Sequence, residues 1–277
     1  MRYLRLLLRA PLAALLSLVF WLLTLAGNVL FFPRRAFRQR RAWQRYFYRT
    51  WARVLCRLLG VRVELEGAVP DLPCLLVTNH LSYLDIVVTA SVLPARFVAK
   101  HEIRSWFFVG WMCRTVDTIF VDRSSRRDTV RVAREIAEGL TAGDAIVLYP
   151  EGTSFAGHRV GNFKPALLAP VADVQLPVRY GAIRYATPQG ERPAYLAVAW
   201  WGNMPFGPHA LGLLQLSRIE ARLSFGAETH SHEDRKELAQ RLQLAVAGLF
   251  EPMVDFAPTI EASDEGRSDS QPAAAPR

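Results

Sequence analysis

The fold is indicated by CLLVTNHLSYLDI, residues 74–86, in which a short apolar run is followed at once by polar residues. The run CLLVT, residues 74–78, predicts a buried strand. Ser82 is a favourable N-cap for a helix that begins near Tyr83. The stretch therefore predicts a strand, a turn and a helix, which is a unit of α/β domains.

His80 and Asp85 are five positions apart in this unit. Within one helix, residues at that spacing are rotated by about 140° and do not meet. With His80 in the turn and Asp85 on the first helical turn, they can. A carboxylate there keeps one imidazole nitrogen protonated and leaves the other free to accept a proton, as a general base requires. Taken alone, a turn histidine beside a chance aspartate explains the pair better.

Similar apolar runs and amphipathic patterns recur after residue 60. Buried strands that alternate with helices predict an α/β fold, with a largely parallel sheet flanked by helices. Strands are predicted at residues 96–100, 118–122, 145–149, 175–183, 194–200 and 219–225, and helices at residues 126–140 and 232–250.

Polar motifs follow two more of these strands. YPEGT, residues 149–153, places Gly152 where backbone can approach a ligand, and IFVDR, residues 119–123, ends in an arginine that can bind an anion. Seen singly, an ordinary turn and a surface ion pair explain these residues equally well. Together with His80, they follow strand ends that meet at one edge of a parallel sheet, where α/β proteins bind ligands.

Residues 10–32 form a run of 23 residues without a charge. As a helix at about 1.5 Å per residue, such a run crosses the ~30 Å hydrocarbon core of a membrane. We therefore predict a membrane anchor at residues 1–33. A signal peptide or a buried core helix are the alternatives; the run is too long for the former, and no A-x-A site precedes a soluble start. The heavier arginine cluster after the run favours the inner (cytoplasmic) membrane, with the active site facing the cytoplasm.

The next segment, residues 34–60, has no acidic residue. Its arginines recur at every fourth position beside an apolar face that contains Trp43, Phe47 and Trp51. This pattern predicts a basic amphipathic helix that lies on an anionic membrane surface. Nucleic acid is a rival partner, which the tryptophans beside a membrane helix disfavour, and a solvated helix face is the third alternative. The arginines, here called the arginine stripe, are Arg41, Arg45, Arg49, Arg53 and Arg57.

Composition adds three constraints. The net charge of +9 and the isoelectric point of about 9.9 favour anionic partners. The three cysteines are isolated, which indicates neither a disulfide framework nor a zinc site and fits a reducing compartment. Residues 257–277, rich in Ser, Asp, Pro and Ala, predict a disordered tail after a principal domain at residues 61–256.

NHLSYLD, IFVDR and YPEGT, in this order and at these separations, resemble the first three sequence blocks of the membrane glycerolipid acyltransferases, typified by bacterial 1-acylglycerol-3-phosphate acyltransferase. QLPV, residues 175–178, resembles the fourth block, and NFKPA, residues 162–166, resembles the basic patch after the third. The resemblance implies transfer of an acyl group from acyl-CoA or acyl carrier protein to a lysolipid hydroxyl, in phospholipid biosynthesis. It implies no metal and no cofactor.

By this resemblance His80 is the general base and Asp85 its orienting partner. The most favoured acceptor is 1-acyl-sn-glycerol-3-phosphate, which gives phosphatidic acid. The resemblance also implies a set of substrate-binding residues, namely Arg123, Glu151, Gly152, Thr153 and Lys164.

Two residues depart from the family pattern. Asp117 stands where the second block opens with glycine, and Ser154 stands where the third often continues with arginine, a donor for the acceptor's phosphate. WWGNMPFGPH, residues 200–209, resembles the lyso-ornithine lipid branch of the family, which supplies the alternative acceptor. A non-catalytic membrane-surface protein is the rival of another class. A serine hydrolase is disfavoured because GTSFAG lacks the G-x-S-x-G pattern.

Overall fold

The computed structural model describes residues 1–31, 37–105, 107–122 and 126–258. Two long helices, α1 (Arg2–Leu30) and α2 (Phe37–Leu59), precede an α/β domain. The domain's strands are β1 Val61–Glu66, β2 Cys74–Thr78, β3 Ala95–Lys100, β4 Ile119–Val121, β5 Ala145–Leu148, β6 Val178–Ala186 and β7 Ile219–Phe225. Its helices are α3 Leu84–Val92, α4 Phe107–Thr115, α5 Arg126–Thr141, α6 Pro165–Ala172, α7 Ala194–Ala197, α8 Phe206–Gln215 and α9 Arg235–Leu249.

These strands form one sheet in the order β1-β7-β6-β2-β5-β3-β4. Each neighbouring pair is parallel except β6 with β7, which is antiparallel. One face of the sheet is covered by α1, α2, α3, α7 and α8, and the other by α5, α6 and α9. The prediction of an α/β fold with a largely parallel sheet flanked by helices is confirmed.

Strand β2 lies near the middle of this sheet, between β5 and β6. Its side chains alternate between the two faces: Cys74 and Leu76 pack in one apolar cluster, and Leu75 and Val77 in the other. A strand that is buried on both faces reads as a continuous apolar run, which explains why its predicted bounds match the structure.

The strand predicted at residues 194–200 is wrong, because Ala194–Ala197 is a short helix. A short apolar run does not distinguish a strand from a helix by periodicity alone. Pro193 precedes the helix as its N-cap residue. The chain then continues as a loop in which Trp200 N–H donates to the Leu81 carbonyl over 2.8 Å. The other predicted strands and helices are present, with ends that differ by at most three residues.

Helix α1 is long and apolar enough to cross a membrane, judged by length and composition alone. It packs along the domain over most of its length. Arg9 Nη1 donates to the Leu216 carbonyl near the end of α8, Trp21 Nε1 donates to Thr115 Oγ1 over 3.1 Å, and Asn28 Nδ2 donates to the Thr115 carbonyl over 3.2 Å. The opposite side of α1 is a row of exposed leucines.

Helix α2 packs against both α1 and α3, and most of its arginine stripe is bonded to the domain. Arg41 is buried and its guanidinium pairs with Asp144, which is also buried, and Arg45 Nη1 pairs with Asp144 Oδ1 over 2.9 Å. Arg49 and Arg53 both donate to the Ser91 carbonyl. The expectation that the stripe faces an anionic membrane is therefore wrong for Arg41, which is buried, and it stays a prediction for Arg53 and Arg57, which are exposed.

The apolar face of α2 packs against α1. The rings of Phe20 and Trp51 stack with centroids 5.1 Å apart, and Trp43 Nε1 donates to the Leu23 carbonyl over 2.9 Å. Repeats of 3.6 residues locate such a face correctly but do not say what covers it. Most of the predicted tail, residues 259–277, lies outside the described residues.

Candidate active site

The site is built at the carboxyl end of β2, where His80 follows the strand and Asp85 lies in the first turn of α3. His80 Nδ1 lies 2.7 Å from Asp85 Oδ2, so the contact expected from the strand-turn-helix arrangement is present. The imidazole is 21% exposed and the carboxylate is 0% exposed. Because Asp85 accepts the Nδ1 proton, Nε2 is the nitrogen left to accept a proton from a substrate.

The Asp85 carboxylate is held by four donors. Besides His80, Oδ2 accepts the backbone N–H groups of Leu81 over 2.7 Å and Ser82 over 3.0 Å. Oδ1 accepts the hydroxyl of Tyr185, on β6, over 2.7 Å. A buried carboxylate that is bonded at both oxygens has a fixed orientation, and its burial is compensated by these hydrogen bonds.

Tyr149, at the end of β5, supplies the surface on which the imidazole rests. The two rings stack with centroids 4.3 Å apart and planes inclined by 20°. Tyr149 also packs near Phe97, whose ring is inclined to it by 11° at a centroid distance of 6.2 Å. The Tyr149 ring therefore restricts rotation of the His80 imidazole, whose orientation is also held by the hydrogen bond from Nδ1 to Asp85.

Glu151 supports the same histidine through its backbone. Glu151 Oε2 accepts the N–H of His80 over 2.6 Å, and Oε1 accepts the N–H of Gly161 over 2.6 Å. The residue is 1% exposed, and burial raises the pKa of its carboxyl group to about 8. Glu151 therefore joins the turn after β2 to the turn after β5, and its contacts assign it a positioning role.

Three of the other predicted binding residues, Gly152, Thr153 and Lys164, lie around this pair of turns. Gly152 has a φ of +71°, a conformation that favours glycine, and its N–H donates to the Tyr149 carbonyl over 3.1 Å. Thr153 and Lys164 are exposed, and the N–H of Lys164 is bonded to the Pro150 carbonyl over 2.8 Å. Arg123 lies outside the described residues.

The two departures from the family pattern have local physical reasons. Asp117 has a φ of +54°, in the left-handed region that glycine usually occupies and that aspartate tolerates. Its carboxylate accepts from Arg41 Nη1 over 2.8 Å, which ties β4 to α2. Ser154 Oγ donates to the Trp200 carbonyl, so the hydroxyl that replaces an arginine holds the loop after α7 against the site.

Beside this loop, aromatic side chains from three parts of the chain pack together: Tyr83 just before α3, Trp200 on the loop, and Phe206 and His209 on α8. Tyr83, two residues before Asp85, has its ring 6.0 Å from Trp200, 5.1 Å from Phe206 and 5.7 Å from His209. Burial lowers the pKa of His209, and its two ring nitrogens each lie 3.0 Å from an oxygen, Tyr83 Oη at Nδ1 and Ala199 O at Nε2. A neutral imidazole that donates to Ala199 and accepts from Tyr83 satisfies both contacts. The Phe206 ring remains 46% exposed.

The geometry supports proton transfer at His80 Nε2, with orientation supplied by Asp85, Tyr149 and Glu151. A family model described as Acyltransferase matches residues 60–179. Lyso-ornithine lipid O-acyltransferase of Brucella abortus is 36% identical over 227 residues, which are 76% of this chain and 83% of that protein. The chain belongs to this acyltransferase family.

Two further similarities widen the comparison within the acyltransferases. 1-Acyl-sn-glycerol-3-phosphate acyltransferase of Neisseria meningitidis is 30% identical over 204 residues, which are 72% of this chain and 78% of that protein. The crystal structure of the 1-acyl-sn-glycerophosphate acyltransferase PlsC of Thermotoga maritima has a TM-score of 0.60 and 24% identity, and the match covers 90% of this chain and 98% of that chain. The family resemblance inferred from the sequence motifs is confirmed, and the protein is an acyltransferase.

The sequence did not single out two residues that contact the His80–Asp85 pair in the structure. Tyr185 is 100 positions from Asp85, and Tyr149 was noticed only as the first letter of YPEGT. The positioning role of Glu151 was also missed. A tyrosine inside a buried strand is a usable signal, because its hydroxyl requires a partner, but the sequence does not say which partner.

Proposed function

We propose that the enzyme transfers a fatty acyl group from acyl-CoA or acyl carrier protein to the free hydroxyl of a lysolipid. The observation that carries this proposal is the 2.7 Å contact between His80 Nδ1 and the buried Asp85 carboxylate, which leaves Nε2 to act as the base. The relatives support the substrate class, since the Brucella and Neisseria proteins are named as acyltransferases of lyso-ornithine lipid and of 1-acyl-sn-glycerol-3-phosphate.

In the proposed mechanism, His80 Nε2 removes the proton of the acceptor hydroxyl as its oxygen attacks the carbonyl carbon of the thioester. The new C–O bond gives a tetrahedral intermediate, which collapses with cleavage of the C–S bond. The sulfur leaves with the proton held by His80, so the products are an ester and a thiol. Asp85 stabilises the imidazolium that exists between the two proton transfers.

The acceptor we propose first is a lysolipid with an ornithine headgroup. Ser154 stands in the place of a phosphate-binding arginine, and its hydroxyl is bonded to the Trp200 carbonyl. The headgroup of such a lipid carries an ammonium group, which aromatic rings such as those of Tyr83 and Phe206 attract through their faces. The 36% identity to the Brucella enzyme supports the same choice.

The second candidate acceptor is 1-acyl-sn-glycerol-3-phosphate. The similarity to the Neisseria enzyme favours it. In this case Arg123 binds the phosphate, with Thr153 and Lys164 at the exposed rim of the site. Wild-type enzyme is offered both lysolipids with labelled acyl-CoA and acyl carrier protein, and the products are identified by mass spectrometry. Turnover of neither lysolipid with either donor contradicts the proposed function.

We infer that α1 lies in the plane of the membrane instead of crossing it. Contacts from Arg5 near its start to Asn28 near its end attach one side of the helix to the domain, so a crossing orientation takes the domain into the hydrocarbon. The exposed side carries only apolar residues over most of its length, as expected of a helix at the interface. These residues include Leu4, Leu8, Leu12, Leu15, Leu18, Leu22 and Leu25. The proposed membrane is the cytoplasmic one, with the site facing the cytoplasm, where thioester donors are made.

A further inference from the structure

Tyr185 contacts Asp85, the partner of the proposed base, from β6, seven residues beyond the end of the fourth sequence block at Val178. It lies near the carboxyl end of β6, it is 1% exposed, and its hydroxyl donates to Asp85 Oδ1 over 2.7 Å. Burial, together with the nearby Asp85 charge, raises the pKa of Tyr185 well above its ordinary value. The hydroxyl therefore stays protonated around neutral pH and remains a donor to Asp85 there.

The two oxygens of Asp85 have different partners. Oδ2 accepts from His80 and from two backbone N–H groups, whereas the partner of Oδ1 is the Tyr185 hydroxyl. Hydrogen bonds to a carboxylate stabilise its charge and reduce its pull on any one donor. The bond from Tyr185 therefore weakens the hold of Asp85 on an imidazolium at His80.

We propose that Tyr185 is a positioning residue that sets the strength of the His80–Asp85 couple, and so the pH at which His80 begins to act as a base. This role rests on the proposed function, because it requires His80 to accept the acceptor's proton. A tyrosine that merely fills the core needs only its ring. The oxygen at 2.7 Å from Asp85 is what the proposal requires, and it is the only atom that Tyr185→Phe removes.

Other titratable groups lie close to His80 or Tyr185, and they also contribute to a measured pH profile. Glu151 contacts the backbone of His80, Tyr149 stacks on its ring, and Cys56 lies near Tyr185. None of these groups is altered by a change at residue 185. A difference between wild type and the Tyr185 variant therefore reports the hydroxyl, whatever these groups contribute to the shared background.

The test compares Tyr185→Phe with Tyr180→Phe. Tyr180 lies on the same strand five positions earlier, and its ring packs against the apolar cluster on the opposite face of the sheet. For Tyr185→Phe we expect the acidic limb of kcat/KM to move to higher pH by about half a unit to one unit. At a pH on that limb this corresponds to a loss of roughly 3- to 10-fold. The acceptor KM stays unchanged, and Tyr180→Phe follows wild type.

A second measurement uses 3-fluorotyrosine incorporated in place of Tyr185, which keeps the shape of the side chain and makes the phenol a stronger donor. The acidic limb then moves to lower pH, opposite to the phenylalanine variant, and this remains measurable if Tyr185→Phe does not fold. An active enzyme whose acidic limb is unchanged by either replacement overturns the role of Tyr185 alone. A wild type that acylates no lysolipid overturns the proposed function, and the role of Tyr185 with it.

Discussion

The backbone N–H of His80 donates to Glu151 Oε2 across 2.6 Å, so a carboxylate from the turn after β5 holds the residue that carries the proposed base. The other oxygen of Glu151 accepts from Gly161, which fixes the loop that follows the same turn. The motifs NHLSYLD and YPEGT are therefore two halves of one structure. The acidic residue of the second motif acts on the first through the backbone.

Glu151→Gln tests this connection. Above its pKa of about 8 the ionised carboxylate accepts from two N–H donors, so at pH 9 an amide leaves one of these donors facing its own NH₂ group. We expect the variant to lose about 1–3 kcal/mol of unfolding free energy, the typical cost of an unsatisfied buried donor, and part of its kcat. The control is Glu233→Gln, which changes an exposed glutamate. A glutamine variant as stable and active as the control contradicts the positioning role.

The raised pKa of Glu151 also predicts a pH dependence of stability. Its ordinary value is 4.5 and its value in the folded enzyme is about 8, so the folded state binds more protons than the unfolded state between these limits. The unfolding free energy contributed by this group therefore falls as pH rises from about 4.5 to about 8. Melting of wild type and Glu151→Gln in detergent, from pH 5 to pH 9, measures it. Parallel curves for the two proteins show that Glu151 is not the titrating group.

His80→Ala is expected to abolish transfer in a folded enzyme, with a loss on the order of 100- to 10,000-fold in kcat, the usual contribution of a general base. Asp85→Asn is also severe, because an amide does not stabilise the imidazolium. His232→Ala, at a histidine just before α9, serves as the control and retains activity. Near-normal transfer by folded His80→Ala removes this residue from the mechanism.

The sequence predicted those features that depend on residues close together in the chain, and it missed contacts between distant segments. β2 and β7 were predicted at their observed bounds because burial and strand ends are local properties of a short run. The His80–Asp85 contact also follows from local geometry, since it needs only a turn between strand and helix. Tyr185 contacts Asp85 from a strand 100 positions away, and the spacing of residues along the chain carries no trace of that contact.

The arginine stripe is a second case in which tertiary contacts were not predicted, because its spacing locates a helix face without identifying the groups that the face contacts. Its four-residue spacing did locate one face of α2, which is helical as predicted. The four-residue spacing of the arginines is the same whether they bind phosphate groups of lipids or hydrogen-bond acceptors of the protein. In the structure the Arg41 guanidinium donates to the Asp144 carboxylate, and Arg53 donates to the Ser91 carbonyl. The choice between lipid and protein is made by tertiary packing, which the pattern does not contain.

The membrane contact of α1 is tested by Leu15→Glu combined with Leu22→Glu, at two exposed positions on the helix. We expect the pair to weaken binding to vesicles strongly, because each change removes an apolar side chain from the interface and adds a charge. High salt should release little of the wild type, since four arginines of the stripe bind the protein itself. Arg57→Gln, at an exposed arginine of α2, is the control and keeps its affinity. Complete release of wild type by salt assigns binding to charge instead.

The acceptor preference is tested at Ser154, with wild type, Ser154→Ala and Ser154→Arg assayed on both lysolipids at matched thioester concentration. Ser154→Ala removes only the hydrogen bond to the Trp200 carbonyl, so it measures what that bond contributes to holding the loop. Ser154→Arg removes the same bond and adds a guanidinium suited to a phosphate. If the natural acceptor carries ornithine, both variants lose use of it by a similar factor, and the arginine variant alone gains on the phosphate acceptor. Wild type that prefers 1-acyl-sn-glycerol-3-phosphate contradicts the ornithine assignment and leaves the chemistry of His80 and Asp85 in place.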